Sequence, residues 1–164
     1  MLWVCRAGKN ACYLEQFVEN GKIFLPWEGY NVDLTELKNR EEFKNIVMVE
    51  KKPDNRTTLA NWAGMLYSFC LEMNIGDYVL IPKYKSEAYI LAEITGEYEY
   101  CDDTKKLLHH CRNIKIMNTN VPREVFPQNI QYSLGAFRSV FHTKYETEII
   151  SAIRLYEKER KLNY

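Results

Sequence analysis

Residues 77–94 read DYVLIPKYKSEAYILAEI, and this stretch decides the fold. Residues 78–81 and 89–94 are continuous apolar runs of strand length, and a short Lys-Tyr-Lys-Ser linker joins them. Such runs are typical of neighbouring strands. The same reasoning predicts a further strand at residues 113–117.

The chain before this stretch begins with a predicted strand, helix and strand. Residues 2–6 are rich in types that favour strands and end at a turn-like segment. Apolar side chains in residues 12–19 recur at helical spacing, and Asn20-Gly21 supplies the left-handed residue that commonly ends a helix. Residues 23–25 then predict a second strand.

Two more helices are predicted before residue 77. We expect Asp33 to begin a helical turn and Asn39 to cap a helix over residues 41–49. A polar connector, residues 51–56, separates these from a helix that Thr58 is expected to cap. The apolar side chains of that helix share one face; they are Leu59, Trp62, Leu66, Phe69, Cys70 and Met73.

The pattern at the C-terminal end predicts one amphipathic helix. Residues 132–142 fit a strand or a helical turn, and the sequence leaves this open. Thr143 and Glu146 have the spacing of a capping box, and apolar residues follow at helical steps. The order of elements predicts an α+β domain over residues 1–142, with helices on a small, mixed, partly closed sheet. A C-terminal helix, residues 143–164, would pack on that domain or extend from it.

The composition suits one folded domain. The chain has 164 residues, of which 46% are hydrophobic and 13% aromatic, far from the composition of disordered chains. Its formal net charge is zero, so binding of nucleic acid would depend on local clusters of cations. Such phosphate contacts are predicted in two clusters, for which a solvated loop is the alternative: Lys83 and Lys85, and Lys105, Lys106 and Arg112.

Several classes of chemistry lack their sequence signatures here. The chain contains no phosphate-binding loop, dinucleotide fingerprint, nucleophile elbow or H-E-x-x-H motif. Cys101, His109, His110 and Cys111 are unsuited to a metal site, because adjacent histidines on a strand point to opposite faces. We therefore expect neither catalysis nor a metal or other cofactor.

The N-terminus resembles no targeting signal, and the five cysteines form no regular framework. No stretch approaches the roughly 20 apolar residues of a membrane span. We expect a cytoplasmic protein with reduced thiols.

Several motifs, in their order and spacing, resemble the PUA-like superfamily and within it the EVE-type domains. The resemblance covers roughly residues 2–142. Residues 27–29 match a W-[DE]-G turn, Gly76-Asp77 matches a GD strand entry, and residues 133–135 match an SLG turn. The other segments that carry the resemblance are 2–8, 61–67 and 90–98.

The resemblance implies a small, mixed, partly closed β-barrel with a pocket at one end that accepts a base swung out of its stack. Extruding a nucleotide costs a few kcal/mol, which stacking on aromatic rings and hydrogen bonds to the base edge must offset. Trp27 and Trp62 are the predicted rings, with Tyr30 a further candidate. Arg6, Asn61 and Ser133 are the predicted polar contacts.

Two of these candidates have plainer interpretations. Trp62 lies on the apolar face of its helix and fits core packing equally well, and Arg6 could be a charge at the edge of a sheet. Trp27 follows a proline in a loop, where binding residues are common.

Relatives of this type read modified DNA bases as specificity domains of restriction systems. The resemblance thus implies a DNA-binding defence module whose nuclease or NTPase partner lies on another domain or subunit. One alternative is an RNA-binding PUA-like module. Another is a small-molecule or protein-interaction domain that self-associates through the helix over residues 145–156.

Overall fold

In the computed structural model, which describes residues 1–101 and 107–164, the two apolar runs form the predicted adjacent strands. Strand β3 (Tyr78–Pro82) pairs antiparallel with β4 (Ala88–Ile94). Strand β6 (His110–Pro122) pairs antiparallel with β4. It is far longer than the predicted residues 113–117, because pairing with β4 supports polar residues such as Asn118 and Asn120 that have little strand propensity themselves.

The remaining strands complete a seven-stranded mixed sheet. Strand β1 (Leu2–Cys5) lies between β3, to which it is parallel, and β7 (Val140–His142), to which it is antiparallel. Strands β2 (Lys22–Phe24) and β5 (Glu99–Tyr100) both pair with the beginning of β6. The order is β2-β6-β4-β3-β1-β7, and the sheet curls into a half-barrel with helices around it. The predicted α+β class is confirmed.

The apolar runs are continuous because helices cover both faces of the sheet. Side chains alternate between faces along β1: Trp3 and Cys5 enter one core, and Leu2 and Val4 enter the other. The inner core contains the buried faces of the helices at residues 40–51 and 56–67. The outer core contains residues of the helix at 128–134 together with Ile149 and Ile153 of the C-terminal helix, which therefore packs on the sheet.

Local signals place most helix ends. Helix α1 (Leu14–Asn20) ends at Gly21, whose φ is 61°. Helix α2 (Arg40–Lys51) begins after Asn39, whose side chain accepts a hydrogen bond from the Glu42 N–H at 3.0 Å.

Helix α3 (Arg56–Tyr67) corrects one prediction. Asn55, and not Thr58, is its cap: the Asn55 side chain accepts a hydrogen bond from the Thr58 N–H at 2.8 Å. The helix continues as a π-helical turn, Ser68–Glu72.

Other local predictions have different outcomes. Asp33 caps a single turn and not a longer helix: its carboxylate accepts a hydrogen bond from the Thr35 N–H, and the Leu37 N–H donates to the Leu34 oxygen. The segment left open divides into α4 (Gln128–Leu134) and β7. Helix α5 (Glu146–Leu162) starts without the predicted capping box, because the Thr143 hydroxyl accepts from the Tyr145 N–H instead.

Two further features concern the helices and the cysteines. None of the helices in the described ranges has both the length and the apolar content that a membrane span needs. All five cysteines are free thiols.

Asp77 joins β1 to β3. Its carboxylate is almost buried and accepts hydrogen bonds from the Trp3 indole N–H and the Asn74 N–H, both at 3.0 Å, and from the N-terminal ammonium at 2.8 Å. Burial acts to raise the pKa of Asp77, but these hydrogen bonds outweigh it and hold the pKa below its usual value. The charged form is therefore the one that the fold stabilises.

We predict that Asp77→Asn lowers the free energy of unfolding at pH 7 by about 1–3 kcal/mol, because buried donors lose a charged acceptor. A carboxyl whose pKa is depressed by folding stabilises the protein above its unfolded pKa, near 3.9, and loses this contribution as the pH falls through its folded pKa. The difference between the two proteins should therefore shrink below about pH 4. Urea denaturation of both proteins at pH 7 and pH 3 measures this difference in the free energy of unfolding. The exposed Asp54→Asn is the matched control, and equal stability of D77N and wild type at pH 7 would contradict the prediction.

Candidate functional site

A cleft of about 930 Å³ opens where the end of β1, the β3–β4 hairpin and the segment after α4 come together. Its described lining carries six cationic residues and one acidic residue, Glu87. The cations are Arg6, Lys9, Lys83, Lys85, Arg123 and Arg138. Because the whole chain is neutral, this cleft concentrates positive charge locally.

The rest of the cleft is largely apolar. Ala88, Tyr89 and Leu134 are at most 6% exposed and lie at its base. Pro26 and Pro82 contribute to its walls. Burial raises the pKa of the Tyr89 phenol, so this side chain is a neutral ring with a polar tip. The cleft therefore combines an apolar base with charged walls, which is typical of a site for a ligand with a flat ring and an anionic group.

Arg6 holds one wall of the cleft in place. Its guanidinium donates hydrogen bonds to the main-chain oxygens of Arg138 and Ala136, both at 3.0 Å, and of Leu134 at 3.5 Å. Its backbone N–H donates to the Ser139 oxygen at 2.8 Å. Arg6 lines the cleft, but most of its donors are engaged with the protein itself, so it acts first as a positioning residue.

Backbone strain is concentrated around this cleft. Asn10, Lys85 and Glu87 have φ values of 55°, 67° and 45°, in the left-handed region that non-glycine residues rarely adopt. Gly8 has a φ of 79°, and a Cβ there would lie 2.6 Å from the Tyr13 ring. Such conformations cluster at functional sites, where the surrounding structure has to maintain them.

The predicted aromatic residues form a separate cluster. The ring centroid of Trp27 lies 5.2 Å from that of Tyr30 and 5.9 Å from that of Trp62, all edge to face. The Lys51 ammonium lies 4.8 Å from the Trp27 centroid. Both tryptophans pack against the inner core, and Asn61 beside Trp62 is exposed. None of these predicted residues is among the described lining of the cleft.

A buried hydrogen-bond chain fixes the loop that carries this cluster. His110 is fully buried; its Nε2 lies 2.7 Å from the Tyr30 carbonyl oxygen and its Nδ1 lies 2.7 Å from the Tyr98 hydroxyl. A carbonyl only accepts, so Nε2 carries the proton and Nδ1 accepts from Tyr98. The Tyr98 oxygen in turn accepts from the Leu34 N–H at 3.3 Å. Tyr30 itself is buried, and its hydroxyl has no hydrogen-bond partner among the described residues.

The predicted phosphate contacts have different outcomes. Lys83 and Lys85 lie on the β3–β4 hairpin and line the cleft. Arg112 is only 2% exposed and donates to the main-chain oxygens of Phe69 and Gly96; this corrects its prediction, because a guanidinium that is buried and paired in this way is unavailable to a phosphate. Lys105 and Lys106 lie outside the described residues.

Ser133 ends up close to the cleft without lining it. It lies in the last turn of α4, directly before Leu134 and Gly135, which do line the cleft. The predicted SLG turn is thus the end of a helix.

Sequence reasoning missed several cleft residues, above all Lys9, Arg123, Phe137 and Arg138. They are single residues scattered along the chain with no shared spacing. The one signal near them was the SLG motif, which lies just before Phe137 and Arg138. Lys9 and Arg123 come close to this loop only through the topology of the sheet.

The fold and the cleft together define an α+β domain built on a curled half-barrel sheet, with a cleft lined by six cationic residues. The chain belongs to the domain family DUF8426, a domain of unknown function, whose match spans residues 3–141. Among solved structures it is similar to the NMR structure of Rpa0253 from Rhodopseudomonas palustris, a Northeast Structural Genomics Consortium target. Identity is 16%, the alignment covers 92% of this chain and 90% of that one, and the TM-score is 0.41. No curated protein matches the sequence.

We predict a loss of stability between about pH 6.5 and pH 4 that originates at His110. Burial lowers the pKa of His110 from 6.5 to about 4, so the unfolded chain binds a proton in this range and the folded chain does not. The contribution of His110 is complete above pH 6.5 and falls by an amount on the order of 3 kcal/mol by pH 4. NMR titration of the imidazole signals, assigned with His110→Gln, together with urea denaturation across this range, tests the prediction. Titration of His110 near pH 6.5 would contradict it.

Proposed function

We propose that this chain is a PUA-like domain of the EVE type that holds a modified DNA base, swung out of the duplex, in the basic cleft. In this proposal it performs no chemistry on the base. It acts in the cytoplasm as the specificity domain of a restriction or defence system, and the nuclease or NTPase lies on a partner domain or subunit.

One observation carries the proposal: six cations surround a single cleft in a chain whose net charge is zero. Non-specific affinity for nucleic acid comes mainly from neutralising phosphates. A neutral protein can obtain it only by concentrating its cations on one surface. Exposed Lys9, Lys85 and Arg138 are placed to do so at the mouth of the cleft.

The motifs that resemble EVE domains support the same cleft. The opening strand contributes Arg6 and Gly8, the residue before the W-[DE]-G turn contributes Pro26, and the SLG motif contributes Leu134 and Gly135. These segments are far apart in sequence, yet they line one cavity. The aromatic pair Trp27 and Trp62 then forms a neighbouring structural cluster, and Tyr89 takes the place of a ring at the base of the cleft.

The size and the chemistry of the cleft suit an extruded nucleotide. A volume of about 930 Å³ lies in the usual range of ligand sites, roughly 300–1,000 Å³. Stacking on an aromatic face is worth about 1–3 kcal/mol per base, which is comparable to the few kcal/mol that extrusion costs. Ala88, Tyr89 and Leu134 form the apolar base of the cleft, against which a base and its methyl group would pack.

We predict selective binding to modified duplex DNA. Fluorescence polarisation at fixed moderate salt would compare duplexes that carry methylcytosine, hydroxymethylcytosine or methyladenine with unmodified duplex and single-stranded RNA. Preference for one modified duplex supports the proposal. Preference for single-stranded RNA would replace it with an RNA-binding module, and binding to none of the probes would overturn it in favour of a small-molecule or protein-interaction domain.

We further predict that Lys85→Gln combined with Arg123→Gln weakens binding to all duplexes and lowers the slope of log K against log salt by about two, one for each lost phosphate contact. Lys44→Gln combined with Lys158→Gln changes the net charge equally at exposed positions on α2 and α5 and serves as the matched control. Equal effects of the two pairs would mean that the cleft does not contact phosphates.

A further inference from the structure

Phe137 is the central residue of a short loop that forms part of the lining of the basic cleft. Its side chain is fully exposed, at 106% of the reference value, and it lines the cleft together with Arg138. Single exposed apolar residues are common on protein surfaces, so exposure alone assigns nothing. Phe137 differs from other exposed apolar residues in its position beside the cleft and in the hydrogen bonds that hold its loop.

The loop is held in a defined shape. The Arg138 N–H donates to the Ala136 oxygen at 2.8 Å, which closes a three-residue turn with Phe137 at its apex. The Arg6 guanidinium binds the carbonyl oxygens of Ala136 and Arg138, on either side of that apex. At the start of the loop, the Gly135 N–H donates to the Gln131 and Tyr132 oxygens at the end of α4. The charged hydrogen bonds of Arg6 therefore hold the loop in a shape that exposes an apolar ring to solvent.

This combination fits a duplex better than a small ligand. Because Phe137 is fully exposed and also lines the cleft, a large partner seated over the cleft would cover the ring as well, whereas a small ligand would leave most of it in solvent. Apolar side chains that bind DNA commonly insert between base pairs and replace the stacking that the pairs lose. Arg138, the next residue, carries a cation to the phosphates that border such a gap.

Resting on the proposed function above, we infer that Phe137 is a wedge that enters the base stack and fills the gap left by the extruded nucleotide. Arg6 is the positioning residue that holds the wedge loop through its main-chain oxygens. The base would enter the cleft as the ring enters the gap, because Phe137 and Arg138 are part of the lining of the same cleft.

The test uses the full chain and duplexes with methylcytosine, hydroxymethylcytosine or methyladenine, each with 2-aminopurine beside the modified base to report its unstacking. Each duplex is made in two forms, with the modified base correctly paired or mismatched. A mismatched base is less costly to extrude, so it needs less help from a wedge. Phe137→Ala is compared with Tyr132→Ala, an exposed aromatic residue on α4 outside the described cleft lining. Phe137→Trp restores a flat ring.

We expect Phe137→Ala to weaken binding to the paired duplex about 10- to 100-fold, as for the loss of one stacking contact, and to abolish the rise in 2-aminopurine fluorescence. The loss should be much smaller on the mismatched duplex, Phe137→Trp should retain most of the binding, and Tyr132→Ala should match wild type.

Two results would overturn the inference while leaving the proposed function intact: wild-type binding and fluorescence in Phe137→Ala, or equal losses on paired and mismatched duplexes, which would make Phe137 an ordinary contact. Failure of wild type to bind any modified duplex would overturn both proposals.

Discussion

The hydrogen bond between the Trp3 indole and the Asp77 carboxylate secures the one parallel pairing in the described sheet, β1 with β3. Parallel neighbours cannot be joined by a tight turn, so something other than chain connectivity must set their register. A buried carboxylate is costly unless its oxygens accept hydrogen bonds. Trp3 supplies one of the three hydrogen bonds that meet this requirement, and it can do so only when β1 lies beside Asp77. The rest of the structure depends on this pairing, because β1 then accepts β7 on its other edge and delivers Arg6 to the cleft.

The charge of the cleft is a property of the topology and not of any one segment. Its cations come from the chain after β1, the β3–β4 hairpin, the turn after β6 and the loop after α4. Each carries one or two cations, which would be unremarkable alone. Together they create a field that favours anions. A protein that places its cations around one cleft in this way can attract an anion there without a net positive charge.

The sequence predicted those features that local chemistry controls. The apolar runs within residues 77–94 became adjacent strands, Gly21 ended α1, and Asn39 capped α2. Where two local signals competed, the choice failed: Asn55 and Thr58 are both good caps, and the chain uses the first. The length of β6 was missed because partners across the sheet, and not its own propensity, keep its polar half extended.

The candidate site was predicted less well, because its residues are defined by what surrounds them. Lys83 and Lys85 stood out as a local cluster and do line the cleft, but Lys9, Arg123 and Arg138 are isolated in sequence. The tryptophans were predicted to form a pocket with Arg6, yet Trp27 and Trp62 pack on each other and on the inner core. The sequence alone does not distinguish an aromatic ring that packs in the core from one that lines a binding site.

The roles of the arginines were equally hard to predict from the sequence. Their contacts also explain why the fold and the proposed site are linked. Arg112 and Arg6 both donate to main-chain oxygens, one between buried segments and the other at the edge of the cleft. The planar guanidinium suits this task because its donors point in fixed directions, so that one side chain can bind several carbonyls at once. A lysine would offer a single mobile ammonium. Arg6 thereby couples the end of β1 to the loop that carries Phe137, and the pairing that organises the sheet also sets the position of the most exposed ring beside the cleft.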